Sequence, residues 1–349
     1  MFNQPIYQTY KRYRTLQTDV ITALPIVILM PHSACNCRCV MCDIWKDNKN
    51  LKQLKEEDIL HLLVSLKKLG TQQVLMSGGE ALLNPNFFRF CELLQNNNLK
   101  VSLLSTGLTL KKNAAQVVKR VNDIIVSLDG NEDVHNHIRN VPNAYQLLKE
   151  GIQQIKSIDL NFKITGRTVI HRLNFLHWPD IIDSAKEIGL NQVSFLPADI
   201  SSHAFNREVL WSEHRQQEIL PDKKELAELK YIIEVIIENC EADFARGFIA
   251  ESPEKLRKIY SYYGAFYGLN PFPYKKCNAP WVSTVVEADG TVRPCFFHPP
   301  LGNIREQSLE SILNGEESIR FRRELDIDQN STCIKCVCYL NLSPGRKLN

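Results

Sequence analysis

Residues 35–42 read Cys-Asn-Cys-Arg-Cys-Val-Met-Cys. Cys35, Cys39 and Cys42 stand in the spacing C-x3-C-x2-C, directly beyond the apolar run Ile26 to Met30. Three thiolates on one short loop can cap three corners of a cubane iron–sulfur cluster and leave the fourth iron without a protein ligand. An open iron lets a cluster bind and activate a substrate or cofactor rather than merely carry electrons. Zinc is the competing reading: it takes four ligands in a closed structural site, and Cys37 would complete the set.

Outward from this loop the chain repeats one unit. Short apolar runs at 25–30, 73–76, 101–105, 124–128, 163–170 and 193–196 read as strands. Between them, 56–69, 85–97, 114–120, 145–156 and 179–188 carry apolar residues at helical spacing, and 223–239 forms a last amphipathic stretch. Six such pairs point to parallel β/α units with right-handed crossovers. Open sheet, partial barrel and full barrel all remain compatible with that pattern. In each, functional loops gather at the carboxyl ends of the strands. Two loops there stand out. Ser77-Gly78-Gly79-Glu80 follows the second strand, and its glycines let backbone approach a small ligand closely. A lone Gly-Gly-Glu is more often a tight turn, but this one falls one unit after the cysteine loop. Ser127-Leu128-Asp129-Gly130 ends the fourth strand, followed by His135 and Arg139 in the loop beyond it.

Taken in order, these motifs resemble the radical S-adenosylmethionine (radical SAM) superfamily over residues 21–240. The resemblance implies an α/β fold, a partial (β/α)6 TIM-like barrel, with a 4Fe–4S cluster on Cys35, Cys39 and Cys42 in its mouth. S-adenosyl-L-methionine would chelate the open iron. Ser77, Gly78, Gly79 and Glu80 then fall at the cofactor's methionyl amino group, and Ser127 and Arg139 at its carboxylate. The implied activity is reductive cleavage of the cofactor to a 5′-deoxyadenosyl radical, which abstracts hydrogen from a substrate carbon. No catalytic acid or base is singled out. Two positions depart from the family pattern. Met41 replaces the usual aromatic before the third cysteine, with Trp45 nearby, and Met can still pack an apolar face on adenine. Ser105-Thr106-Gly107 stands where relatives often carry Thr-Asn-Gly.

The pattern changes after Cys240. Residues 241–276 are rich in aromatics and read as a linker with some helix, packed on the core. From Cys277 onward, Asp289-Gly290 between two β-rich runs signals a hairpin. A hairpin brings Cys277 and Cys295 together, and Cys333-x2-Cys336 can grip one metal centre. Four thiolates make a closed site, which on spacing alone suits zinc as well as iron–sulfur. The spacing resembles the C-terminal SPASM/twitch extension of radical SAM enzymes, in which such cysteines hold an auxiliary 4Fe–4S cluster. With only Cys338 beyond the pair, the shorter, single-cluster twitch form fits better. Cys91 and Cys240 read as core thiols, and Cys37 as a non-ligand. The expected organisation is an N-terminal extension over 1–20, the core over 21–240, the linker over 241–276 and the auxiliary cluster domain over 277–349.

Composition bounds the rest. Lysine and arginine number 42 against 39 acidic residues, a balance of +3 that argues against a dedicated nucleic-acid binder. No run approaches the ~18 apolar residues of a membrane span, and no signal peptide opens the chain. A cytoplasmic location follows, where eleven cysteines are metal ligands sooner than disulfides. An electron donor of the flavodoxin or ferredoxin kind is implied by the resemblance. Relatives with this extension act on peptides, protein side chains, or small sugars and cyclitols. With no room before the core for an extra peptide-recognition domain, a small molecule or a presented peptide is expected. A net oxidation or cross-link is favoured, because an auxiliary cluster can accept the substrate radical's second electron. The competing class is a non-catalytic, zinc-stabilised α/β scaffold that binds a partner. Oligomeric state is not legible.

Overall fold

The computed structural model describes residues 4–207 and 209–346. Nine strands form one sheet: β1 (Ile26–Leu29), β2 (Gln73–Met76), β3 (Lys100–Ser105), β4 (Asp123–Ser127), β5 (Lys163–Ile170), β6 (Gln192–Pro197), β7 (Ser283–Val286), β8 (Thr291–Arg293) and β9 (Gly302–Asn303). Their order is β6-β5-β4-β3-β2-β1-β7-β8-β9. The six strands read from the sequence are β1 to β6, neighbours in parallel, each joined to the next through at least one helix. The sheet does not close on itself, so the architecture is a partial barrel with an α/β core.

Burial alternates along β1, β2 and β4. Val27 and Leu29 of β1, Val74 and Met76 of β2, and Ile124 and Val126 of β4 are buried. Their neighbours Ile26, Ile28, Gln73, Leu75, Asp123, Ile125 and Ser127 are only half-buried. A parallel sheet covered on both faces reads as continuous apolar residues; here one face packs under helices and the other lines an open concavity.

Several helices escaped the sequence reading, two of them α-helices within the first 140 residues. Gln4–Thr18 precedes the core, and Glu132–Arg139 occupies the segment expected to be loop after β4. The second is short and mostly polar, with only Val134 and Ile138 as apolar residues at helical spacing. Its ends carry the signal: Asn131 caps the start by accepting from Val134 N, and Asn140 turns left-handed at φ 52° after the end.

The sheet also runs on into the C-terminal segment. β7 pairs in parallel with β1, and the expected hairpin β7–β8 turns at Asp289-Gly290, with Gly290 at φ +89°. Side chains fasten this segment to the first sixty residues. Arg305 reaches Asp58 with Nε at 3.0 Å and Nη2 at 2.9 Å, and Arg322, 1% exposed, donates to the carbonyl of Asp19 at 2.7 Å. The aromatic segment covers β6, the outer parallel strand. Ile249 bridges to Val193, and the Tyr263 hydroxyl accepts from Ala198 N at 2.8 Å. Among the described residues no helix is long and apolar enough to cross a membrane.

Candidate functional site

The loop 35–42 leaves the carboxyl end of β1 and is held from three sides. Beneath it, Glu80 N donates to Ala34 O at 2.9 Å, and Gly79 packs against the Ser33–Ala34 backbone. A Cβ on Gly79 would stand 2.1 Å from Ala34 O, so only glycine permits this approach. On a second side, Arg38 N and Val40 N donate to the carbonyls of Arg139 and Ile138, both at 3.0 Å. On the third, Asn48 brackets Cys35, accepting from its N–H at 3.0 Å and donating to its carbonyl at 2.9 Å.

The thiols differ in charge. The buried Cys37 thiol donates to Cys35 and Cys39, which lowers both and is itself held strongly protonated. Cys39 falls to about 6, through that hydrogen bond and, against burial, through the guanidinium of Arg139. Cys42 is pushed up to about 12 by burial and the neighbouring sulfurs. Soft thiol donors of this kind suit iron–sulfur centres and zinc. As they stand, no three His, Cys, Asp or Glu side chains among the described residues are close enough to hold a single metal ion. The fit rests on donor chemistry and on the framing of the loop.

Arg139 lies in the last turn of its helix, 7% exposed. Its Nη2 is 2.6 Å from Asp129 Oδ2 and its Nη1 is 3.4 Å from Cys39 Sγ. Its Nε has no hydrogen-bond partner, leaving one buried donor for a ligand. The Glu80 carboxylate is hydrogen-bonded within the protein. It is fully buried and accepts from Ser105 Oγ at 3.0 Å, Thr106 N at 2.8 Å and Thr106 Oγ1 at 2.7 Å. Burial raises its pKa against these bonds. The side chain therefore ties the β2 loop to the β3 loop. The Ser105-Thr106-Gly107 departure supplies the hydroxyls for this tie. Ser127 ends β4, half-buried.

Cys277, Cys295, Cys333 and Cys336 line a single hollow, and Cys338 and His298 line it with them. His298 Nε2 is 3.2 Å from Cys333 Sγ, and Lys275 Nζ donates to the carbonyls of Ile334 at 2.7 Å and Cys336 at 2.6 Å. Burial and neighbouring thiols push Cys295 to about 11 and Cys333 to about 12. A metal centre bound here would displace these protons. Cys338 also borders a second, larger hollow against β5 and β6. Sequence reasoning passed over Cys37 as a donor, His298 beside Cys333, and Arg167 of β5. The last is a charged residue in an alternating strand, which is the signal that was available.

The family model of the radical SAM superfamily matches residues 29–194, and that of SPASM, an iron–sulfur cluster-binding domain, matches residues 277–337. The chain is 24% identical over 307 residues to a protein named AdoMet-dependent heme synthase of Methanosarcina barkeri, covering 84% of this chain and 82% of that one. It is 24% identical over 289 residues to the subtilosin biosynthesis protein AlbA of Bacillus subtilis, covering 80% of this chain and 57% of that one. Among solved structures, Streptococcus suis SuiB bound to its precursor peptide SuiA superposes with a TM-score of 0.62 at 13% identity, covering 94% of this chain and 73% of that one. That likeness is one of fold.

Proposed function

For a chain of the radical SAM superfamily with a SPASM iron–sulfur domain, an enzyme that uses a 4Fe–4S cluster, S-adenosyl-L-methionine and an auxiliary iron–sulfur cluster, we propose the following assignment of residues to roles. Cys35, Cys39 and Cys42 hold the barrel cluster and leave one iron open. Cys277, Cys295, Cys333 and Cys336 hold the auxiliary one. When bound, the barrel cluster and cofactor supply one-electron cleavage of the sulfonium bond and a 5′-deoxyadenosyl radical that takes hydrogen from a substrate carbon.

The protein's own residues do the positioning. Cys37 donates to the sulfurs of Cys35 and Cys39, and Arg139 sets a positive charge beside Cys39, so the negative charge of the thiolates is offset. The free Arg139 Nε, with Ser127, receives the cofactor carboxylate. The backbone of Ser77, Gly78 and Gly79 receives its amino group, and Glu80 keeps that backbone in place through Ser105 and Thr106. The substrate is a small molecule or a peptide, and the reaction a net oxidation or cross-link in the cytoplasm, fed by a flavodoxin- or ferredoxin-type donor. Relatives named for haem synthesis and for peptide maturation support both substrate kinds.

The observation that carries this reading is the triply anchored loop 35–42 with Arg139 at Cys39 Sγ. Anaerobic reconstitution tests it. Wild type should bind about eight irons, two four-iron clusters, with a broad visible band. Cys35→Ala/Cys39→Ala/Cys42→Ala should keep about four, all at the C-terminal thiols. An iron-free, folded triple variant would mean that the tail binds no such cluster.

A further inference from the structure

β5 carries a charge that the cofactor site does not use. Ile164, Gly166, Thr168 and Ile170 of this strand are buried, while Arg167 lies on the opposite, concave face and is exposed. In register Arg167 stands between Ser127 of β4 and Ser194 of β6. It is thus one strand spacing, about 4.8 Å, from the serine assigned to the cofactor.

Arg167 borders a solvent-open hollow of about 870 Å³, walled by Ser194–Pro197, by the helix Pro253–Ala265 and by Cys336–Tyr339. Lys255, Lys258 and Lys275 line it too, against one carboxylate, Glu251. Glu251 is already committed to β6, accepting from Ser194 Oγ at 2.8 Å and Phe195 N at 2.9 Å. Lys275 belongs to the cysteine hollow, where it feels Cys336, Cys333 and Cys277. Lys258 donates to the carbonyl of Tyr274 at 3.1 Å and pairs with no carboxylate among the described residues. Arg167 and Lys255 form no ion pair among the described residues. The wall also holds Tyr262, 3% exposed, whose hydroxyl has no hydrogen-bond partner.

One buried donor without an acceptor, the Tyr262 hydroxyl, and a surplus of cations around a concavity describe one kind of guest. The cations focus a positive field into the hollow, and an arginine fork matches a carboxylate through two parallel hydrogen bonds. We propose that this hollow is the substrate site and takes a substrate bearing carboxylates, with Arg167 as the anchor, Lys255 and Lys258 at the rim and the Tyr262 hydroxyl as a further donor. This inference rests on the enzyme reading above and names the substrate class for it. The anchored group would sit one strand from the cofactor and beside Cys336 and Cys338, between the two iron–sulfur centres.

The test uses the reconstituted holoenzyme and two probes, citrate and hexaglutamate, which separate a small carboxylate from an acidic peptide segment. Acylation of Lys255 and Lys258, read by peptide mass spectrometry, is followed as each probe is titrated. At least one probe should protect both lysines saturably; the one that does identifies the source of the carboxylate. Arg167→Gln should raise that probe's dissociation constant roughly ten- to a hundredfold, with Arg167→Lys restoring part of the loss. The dissociation constant for S-adenosylmethionine and the auxiliary cluster's EPR signal should stay as in wild type. The surface pair Lys255→Ala/Lys258→Ala should weaken the same probe, which covers a misfolded Arg167 variant. Absence of protection by both probes would overturn the proposal, as would an Arg167→Gln variant that binds as wild type does. Equal loss of S-adenosylmethionine affinity would also overturn it, by moving the arginine to the cofactor. None of these readouts needs turnover, so failure of the enzyme reading, seen as absent cofactor cleavage, is recorded separately.

Discussion

Arg139 sits between a carboxylate and a sulfur, and both contacts make its removal expensive. Asp129 is fully buried, so Arg139→Ala leaves its negative charge without a cation in a dry site. Breaking a buried pair from one side costs about 3–5 kcal/mol, whereas a surface arginine costs under about 1 kcal/mol. Urea unfolding should show the larger loss, and Arg139→Ala/Asp129→Asn should recover part of it, because the orphaned charge is gone. Titration with S-adenosylmethionine at matched iron content should show cofactor binding weakened roughly ten- to a hundredfold in Arg139→Ala. At this scale the cysteines were legible, since thiolate spacing is itself the chemical requirement. The partners of Glu80 were not. Ser105 and Thr106 lie some 25 residues away, and only the meeting of the β2 and β3 loops makes that tie. Arg139 was found for its charge and position, while its bond to Cys39 depends on a helix that the polar stretch 132–139 hid.

Among elements, the loops after β1 and β2 act as one unit, and Gly79 is where they touch. Gly79→Ala sets a methyl 2.1 Å from a backbone oxygen, and backbone has no rotamer with which to yield. Overpacking of this kind costs about 1–3 kcal/mol and displaces what it strikes, here the backbone just before Cys35. The variant should lose iron from the barrel loop and keep about four irons on the C-terminal thiols, as iron analysis and EPR would report. Full loading in Gly79→Ala would show that the loops can part without harm to the site. The six strands β1 to β6 were readable because each is an apolar run or, in β5, an alternating one between amphipathic helices. β9, two residues long, had no such pattern and exists because β8 offers it an edge.

The whole molecule is built on a sheet that does not stop where the sequence changes texture. β7 completes an edge of β1, Arg305 and Arg322 clamp the tail to Asp58 and to the carbonyl of Asp19, and the segment 241–276 covers β6. Composition and cysteine spacing mark 277 as a boundary, but pairing between β1 and β7 is a long-range event that local pattern does not encode. Such shared hydrogen bonds couple the two parts, so calorimetry of the holoprotein should show one cooperative unfolding transition; two well-separated transitions would mean independent parts. The chemistry proposed for the whole molecule depends on an open iron held by the loop 35–42 for S-adenosylmethionine. Its most direct test is 5′-deoxyadenosine formation by reconstituted, reduced protein, wild type against Cys39→Ala, under matched reduction and with the auxiliary iron intact. Wild type should release 5′-deoxyadenosine and methionine and the variant neither; equal 5′-deoxyadenosine from both would remove these cysteines from the chemistry.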